Sequence, residues 1–257
     1  TWEYMMLDSN SYLEHDVKDY NLITFGCSLT YGTGLPDCLN TNDGGIHITN
    51  PSEHAWPSIL GGLLKSKSIT NKSLPGLGCK QVAKTIIDYK YSSNNIVVVL
   101  WPNFNRHTIF KDSTSHSYKN LLYMVPSMLT KSMPRPFWKN RDMDGFQKDK
   151  FLNLVKTYYK DYFEEWDSLF ENLIRINFVH SYLKDRGIKS YHILSESQYH
   201  SENGDYFEDF NLKDINLKTF NWQEDFQIDD ALDKPHPHPG LLSHKLIATN
   251  IQKWFFS

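Results

Sequence analysis

One serine stands where a folded chain could expose it as a nucleophile. Ser28 follows a short apolar run at residues 22–25, and Gly26 lies two positions before it. A serine placed directly after a buried strand can be held on a tight turn with its hydroxyl exposed. Such a hydroxyl attacks at neutral pH only when a neighbouring base removes its proton. Ser28 is therefore a candidate nucleophile that requires a base from elsewhere in the sequence.

A stretch near the other end of the sequence could supply that base. Residues 233–244 contain His236, His238 and His244 among alternating prolines, together with Asp233. Prolines fix φ and stiffen the backbone, which suits a loop that must present an imidazole with little freedom. A nearby carboxylate can hold the imidazole tautomer and stabilise the imidazolium. The stretch therefore predicts a histidine base with an aspartate partner.

Two further segments offer hydrogen-bond donors that could stabilise an oxyanion. Gly76 follows a predicted strand, and a residue without a side chain leaves its backbone N–H open to close approach. Asn103 or Asn105 follows the apolar run at residues 96–100, and either amide could donate to a developing negative charge. Arg106 could anchor an acidic group of a substrate or pair with a surface carboxylate.

The elements that must position these residues alternate between strands and helices. Ser52 is a candidate cap for the first helix, and Gly187 should end the third. Alternating strands and helices indicate an α/β fold with a parallel sheet covered on both faces. In such sheets the chemistry lies at the carboxyl ends of the strands. The sequence predicts strands at residues 22–25, 69–74, 96–100 and 188–194, and helices at 53–65, 80–89, 151–184 and 240–255.

The chain is expected to form a single domain over residues 1–257. Residues 102–149 show no clear periodicity and contain four prolines, so we interpret them as an insertion or a lid. Residues 195–232 are polar and aromatic and predict a long loop.

In their order, these segments resemble the sequence blocks of the SGNH hydrolases, also called GDSL esterases. The family's first block, Gly-Asp-Ser-Leu, is matched by Gly-Cys-Ser-Leu at residues 26–29, and its second-block glycine by Gly76. The third block, Gly-x-Asn-Asp, is matched loosely by Trp-Pro-Asn-Phe at residues 101–104. The last block, Asp-x-x-His-Pro before the final helix, is matched within residues 233–248.

The resemblance implies a three-layer α/β/α sandwich with a flavodoxin-like parallel sheet. It also implies a serine ester hydrolase with Ser28, His238 and Asp233 as catalytic triad. The oxyanion hole would consist of the Ser28 and Gly76 N–H groups and the Asn103 side chain. No metal or organic cofactor is implied.

The register of the last block is open between two histidines. Asp233 and His236 fit Asp-x-x-His-Pro literally. The family's usual lead into the helix is His-Pro, three residues, and then Gly-His or Gly-Tyr, which His238 and the residues up to His244 fit better. We therefore favour His238 as the base and keep His236 as the alternative. Asp233 is the expected acid in either case, with residues 229 and 230, both aspartates, in reserve.

Three departures from the family pattern affect these assignments. Cys27 replaces the usual aspartate of the first block, a position that varies in the family. Trp101 and Phe104 replace glycine and aspartate in the third block, which weakens the assignment of Asn103. The Trp-x-x-x-x-Arg pattern that ends at Arg106 is more similar to a phage-encoded branch of the family.

The expected substrate is a small ester or an acetylated glycan, with carbohydrate deacetylation, an acetylesterase activity, favoured. The aromatic residues within 102–149 could stack on sugar rings or pack on the core. Two alternatives have different chemistry. One is a non-catalytic binding or virion structural protein on the same fold. The other is a metal site formed by the histidines at 236, 238 and 244.

Composition narrows the function classes further. Hydrophobic residues make up 40% and charged residues 22% of the 257 residues, as in an ordinary globular protein, and the net charge of −3 favours neither nucleic acid nor an anionic membrane. Three cysteines without regular spacing argue against a disulfide framework. No apolar run approaches the roughly 20 residues of a membrane span, and no signal peptide is visible. The sequence leaves the compartment and the oligomeric state open.

Overall fold

The structure is a computed structural model of the 257-residue chain. It describes residues 18–38, 50–110, 121–124, 126, 145–195, 212, 214–221, 224–225, 230–231 and 238–257. Asp233 and His236 lie outside these described residues.

The described residues form seven strands, five α-helices of eight or more residues, one short helix and one π-helix. In chain order they are β1 (Lys18–Phe25), α1 (Ser28–Tyr31), α2 (Trp56–Leu63), β2 (Ser66–Asn71), α3 (Cys79–Asp88), β3 (Asn95–Leu100), β4 (His107–Phe110), β5 (Leu121–Met124), α4 (Gly145–Thr157), the π-helix (Tyr158–Tyr162), α5 (Glu165–Lys184), β6 (Lys189–Ser195), β7 (Leu217–Phe220) and α6 (Leu241–Phe255).

Five of the strands form one parallel sheet in the order β2-β1-β3-β6-β7. Counted along the chain, this is the 2-1-3-4-5 order of flavodoxin-like folds. The connections that follow β1 and β3 lead to opposite faces of the sheet. A crevice therefore opens between the carboxyl ends of these two strands. Ser28 follows β1 and Asn103 follows β3, so both lie at this crevice.

Helices cover both faces of the sheet, which gives three layers. On one face α3 and α5 pack against each other, and their apolar residues share a core with Val97 and Val99. On the other face α2 and α6 pack together over Leu22 and Val98. Alternate residues of β1 and β3 thus point into opposite cores, as a strand buried on both faces requires. The predicted three-layer α/β/α sandwich is confirmed.

Several predicted element bounds differ from the structure. The helix predicted over 151–184 is two helices joined by the π-helix Tyr158–Tyr162, and Phe163 and Glu164 are extended between them. The predicted loop at 195–232 contains β7, which has only four residues and is the fifth strand of the parallel sheet. Ser52 does not cap α2, because Ala55 occupies the N-cap position. The Ser52 hydroxyl instead donates to Asp37 over 2.5 Å.

Part of the segment predicted as an insertion or lid is regular. Strands β4 and β5 form a two-stranded antiparallel sheet of their own, separate from the parallel sheet. Much of the rest of 102–149 lies outside the described residues, so its role as a lid stays a prediction. In the part of the chain that the structure describes, no helix is both long and apolar enough to cross a membrane.

Candidate active site

Ser28 is the one partly exposed residue in a buried stretch. Every other residue from Leu22 to Leu35 is buried. Ser28 begins α1, whose last turn closes through a hydrogen bond from the Gly32 N–H to the Ser28 carbonyl over 3.0 Å. Among the described residues, no group forms a hydrogen bond with the Ser28 hydroxyl or accepts one from its backbone N–H. The sharp turn after β1 therefore presents one hydroxyl and one N–H at the crevice.

Gly32 brings the segment before α2 against the end of α1. Its φ is +84°, a left-handed conformation that favours glycine. A Cβ at this position would lie 2.6 Å from the Cβ of Ser52 and 2.8 Å from that of Ala55. The Ser52 N–H also donates to the Tyr31 carbonyl over 2.8 Å. Only a glycine allows this close approach between α1 and the start of α2.

The loop after β2 is tied to α1 by Asn71. Its Nδ2 donates to the Thr30 carbonyl over 2.7 Å, and its Oδ1 accepts from the Ser73 N–H over 3.1 Å. The same loop turns at Gly76, where φ is +78°. The Gly76 N–H has no acceptor among the described residues. Asn71 thus fixes the loop that carries the predicted oxyanion donor beside the helix that carries Ser28.

In the turn after β3, the side-chain NH₂ group of Asn103 has no hydrogen-bond acceptor in the described structure. The Asn103 Oδ1 accepts from the Asn105 N–H over 3.3 Å, and the Asn103 carbonyl accepts from the Arg106 N–H over 3.2 Å. This local turn engages the oxygen of the amide and leaves Nδ2, the donor, without an acceptor in the described structure. Asn103 is exposed, whereas Asn105 is partly buried and its carbonyl accepts from the Tyr159 hydroxyl over 2.6 Å.

A buried row of polar side chains, which sequence reasoning missed, supports the same turn. The Trp101 indole N–H donates to His192 Nδ1 over 3.1 Å. His192 Nε2 therefore carries the proton and donates to the Ser190 hydroxyl over 3.1 Å, and that hydroxyl is hydrogen-bonded to His180 Nδ1 over 3.3 Å. Burial, and then His180, lower the pKa of His192 to about 3, so the ring stays neutral at physiological pH.

Asp230 fixes the start of α6, close to the predicted base. Its Oδ1 accepts from the Gly240 N–H over 2.9 Å and from the Ser243 hydroxyl over 2.6 Å. Its Oδ2 accepts from the N–H groups of Leu242 over 2.7 Å and Ser243 over 3.1 Å. With four donors bound, the carboxylate has no remaining lone pair for an imidazole. Asp230, a reserve acid in the sequence analysis, therefore caps a helix.

His244 links α6 to α2. The Trp56 N–H donates to His244 Nδ1 over 3.1 Å, so this nitrogen is unprotonated and Nε2 carries the hydrogen. Burial lowers the pKa of His244 to about 4; the Asp230 charge opposes this shift and the electrostatic interaction with His238 adds to it. His244 is therefore neutral and structural, and its Nδ1 is not available to a metal.

Contacts connect the start of α6 to α1, the helix that begins at Ser28. His244 holds the first residue of α2, the segment just before α2 packs on Gly32, and Leu29 of α1 shares an apolar cluster with Ile247 of α6. His238 lies two residues before the first residue capped by Asp230. No hydrogen bond joins Ser28 and His238 in the described structure. Such bonds are often long in unliganded sites and shorten when substrate binds.

The strand order places three of the predicted site residues on neighbouring strands. Gly76 follows β2, Ser28 follows β1 and Asn103 follows β3, and β1 lies between the other two in the sheet. Asp233 and His236 fall outside the described residues, so the choice between the two histidines stays a prediction. Within the described ranges, no group of three or more His, Cys, Asp or Glu side chains is arranged to hold a metal ion.

Arg106 lies beside the second loop. Its Nη1 donates to the Leu77 carbonyl over 3.5 Å, and Leu77 directly follows Gly76. Guanidinium groups carry five donors, and in the described part of the chain no carboxylate pairs with this one. Arg106 therefore has donors to offer a ligand near the predicted oxyanion site.

No protein-family model matches this sequence, and no curated protein matches it significantly. Solved structures that resemble it include a carbohydrate esterase, at 12% identity and a TM-score of 0.48, over 93% of this chain and 71% of that one. Phospholipase A1 from Streptomyces albidoflavus NA297 resembles it at 10% identity and a TM-score of 0.47, over 91% and 99%. A member of the lipolytic protein G-D-S-L family from Veillonella parvula DSM 2008 does so at 12% identity and a TM-score of 0.43, over 92% and 98%. These similarities are distant.

Proposed function

We propose that this chain is a serine ester hydrolase in which Ser28 is the nucleophile. The observation that carries the proposal is the position of Ser28 at the crevice between β1 and β3. There Ser28 is partly exposed and its hydroxyl has no hydrogen-bond partner in the described structure. Ser28 follows β1, which lies between the strands that precede Gly76 and Asn103.

The proposed oxyanion hole combines donors from three strand ends. The Ser28 N–H, the Gly76 N–H and the Asn103 Nδ2 each lack an acceptor in the described structure. During attack on an ester carbonyl, the oxygen becomes negatively charged and these donors stabilise it. Each donor should lower the barrier by roughly 3 kcal/mol, the magnitude found for such donors in other hydrolases.

The proposed base is His238, with Asp233 as the acid that orients it. His238 removes the Ser28 proton as the oxygen attacks, and then donates that proton to the leaving alcohol. A water molecule, activated by the same imidazole, hydrolyses the acyl-enzyme and releases the acid. Support comes from the contacts that join the start of α6 to α2 and α1. Asp230 supports the assignment indirectly, because its carboxylate is fully used as a helix cap.

The proposed substrate is an acetylated carbohydrate, and Arg106 is the proposed substrate-binding residue. The guanidinium adjoins the Gly76 loop through Leu77, so it can donate to oxygen atoms of the substrate near the reacting carbonyl. Membership of a phage-encoded branch stays a prediction from the sequence pattern at residues 101–106.

A p-nitrophenyl acetate assay on five proteins tests the proposal. Wild type should hydrolyse the ester, and Ser28→Ala should reduce kcat to background. His238→Ala should do nearly the same, whereas His236→Ala should retain most of the activity. Asn105→Ala tests the alternative donor and should retain most of the activity if Asn103 is the oxyanion donor.

Labelling by a fluorophosphonate separates an inactive protein from a poor substrate. Wild type should be labelled and Ser28→Ala should not. If wild type is neither labelled nor active, the hydrolase proposal is wrong. If His236→Ala is inactive and His238→Ala is active, the base is His236.

A further inference from the structure

A cleft of about 170 Å³ is lined in part by Arg106, the residue whose guanidinium donates to the loop that carries Gly76. We call it the side cleft. Its walls are formed by Arg106 and by His107 and Thr108 of β4, by Tyr158 and Tyr162 of the π-helix, and by the first turns of α5. Since one water needs about 10–15 Å³, the side cleft has room for roughly ten waters or for one small ring. Arg106 lines the side cleft and also donates to the Leu77 carbonyl, next to Gly76, so the cleft and the Gly76 loop share this residue.

The π-helix gives the side cleft an aromatic rim. π-Helices are rare, and where they occur they often mark functional sites. Tyr158 is fixed by His107, because the two rings lie 4.9 Å apart and the Tyr158 hydroxyl is 3.3 Å from His107 Nδ1. Tyr162 is 72% exposed, and among the described residues no aromatic ring or cation contacts its ring. One tyrosine is therefore part of the wall, and the other offers a free flat face.

The charges around the side cleft balance. Burial, followed by the Lys80 charge, lowers the pKa of His107, so this wall is neutral. Arg175 forms an ion pair with Glu171. A site with equal numbers of cations and anions favours neither a charged acid nor a charged base, but it offers many donors and acceptors. The lining cations are Lys80, Arg106 and Arg175, and the lining anions are Glu164, Asp167 and Glu171.

We propose that the side cleft binds the alcohol half of the substrate as a neutral, polyhydroxylated ring, with Tyr162 as its stacking platform. A pyranose has an apolar C–H face that suits an exposed tyrosine ring and hydroxyls that suit the mixed polar walls. The inference rests on the proposed function for the position of the ester, but ring binding is measurable without catalysis.

Comparing a sugar ester with a small ester tests the role of Tyr162 in turnover. Tyr162→Ala should raise KM for a methyl O-acetyl-β-xylopyranoside about three- to tenfold, since an aromatic contact contributes about that much to binding. The KM for ethyl acetate, whose alcohol half has no ring to stack on a tyrosine, should rise much less than the KM for the sugar ester. Phe178→Ala is the matched control, because Phe178 is 56% exposed on α5 and does not line the cleft. Equal kinetics of Tyr162→Ala and wild type on the sugar ester would overturn the inference and leave the hydrolase proposal intact.

Direct binding separates the two proposals. With Ser28→Ala, a ligand-observed NMR titration should detect methyl β-xylopyranoside and methyl β-glucopyranoside. Adding Tyr162→Ala should raise both dissociation constants about three- to tenfold. Binding of methyl β-glucuronide alone, or no weakening by Tyr162→Ala, would show that the cleft does not bind neutral sugars. Ring binding by a protein that hydrolyses no ester would support the cleft and contradict the hydrolase.

Discussion

Replacing Asp230 with asparagine removes one of the two carboxylate oxygens that cap α6. The first backbone N–H groups of a helix have no partner within the helix, and Gly240 at the N-cap has no side chain to supply one. Asp230 satisfies the N–H groups of Gly240, Leu242 and Ser243, and also accepts from the Ser243 hydroxyl. In the variant one carboxylate oxygen becomes an NH₂ group that faces N–H donors. Only the remaining oxygen can accept.

The expected loss of unfolding free energy follows from these contacts. Removal of a helix cap costs about 0.5–2 kcal/mol, and hydrogen bonds to a charged group contribute about 1.5–3 kcal/mol each. Because the carboxylate is partly exposed and one oxygen survives, we expect Asp230→Asn to destabilise the protein by about 2–3 kcal/mol. Ser243→Ala removes only one of the four contacts and should cost about 1 kcal/mol.

The effect should depend on pH with a defined sign. Burial alone would raise the pKa of Asp230, but the hydrogen bonds from Ser243, Gly240 and Leu242 outweigh it and leave the pKa below its ordinary value of 3.8. A carboxyl with a lowered folded-state pKa stabilises the protein above the unfolded-state value and loses that contribution as pH falls through the folded-state pKa. The difference between wild type and Asp230→Asn should therefore be largest near neutral pH and shrink below about pH 4.

Urea unfolding followed by tryptophan fluorescence measures this difference between pH 3 and 7. Asp185→Asn is the matched control, because Asp185 is exposed at the end of α5 and no hydrogen bond uses its carboxylate in the described structure. The control should change stability by less than about 0.5 kcal/mol. Equal effects of the two variants at pH 7, or a difference that persists unchanged at pH 3, would refute the role given to Asp230.

Three further predictions concern other positions. Asn103→Ala should lower kcat on p-nitrophenyl acetate by about 10²–10³ with little change in KM; a loss confined to KM would contradict an oxyanion role. Gly32→Ala should lower the melting temperature much more than Gly187→Ala: both glycines have positive φ, but an added Cβ clashes only at Gly32, and equal shifts would show that the packing at Gly32 is not tight. His244→Phe should lower the unfolding free energy by about 1–3 kcal/mol at pH 7, because it leaves the buried Trp56 N–H unpaired. Since the folded-state pKa of His244 is about 4, its stabilising effect should be complete above pH 6.5 and decline towards pH 4; a urea titration that shows no such decline would contradict this.

The sequence by itself determined the fold class and the strand that precedes Ser28. The run at residues 96–100 consists of apolar β-formers because β3 is buried on both faces, and only a central strand of a parallel sheet has that environment. Ser28 follows a similar run and lies within a stretch that is otherwise buried. These features are local, since they depend on which residues are adjacent in the chain.

The sequence pattern did not predict the interruption of the helix expected at residues 151–184. Its apolar spacing continues through the π-helix, and periodicity does not register a local change in hydrogen bonding. Strand β7 was missed for a related reason. Its four residues are too few to show alternation, and it is defined by pairing with β6.

Tertiary structure alone decided the roles of the polar residues around the site. Asp230 and Asp233 are alike in sequence, and only the fold shows that the first is saturated by the start of α6. His244 lies in the same histidine-rich stretch as His238. It has a structural role because its Nδ1 accepts a hydrogen bond from the N–H of Trp56, which is 188 residues away in the chain. Hydrogen bonds between distant segments leave no periodic signal in the chain, so a residue's chemistry becomes definite only when its partners are in place.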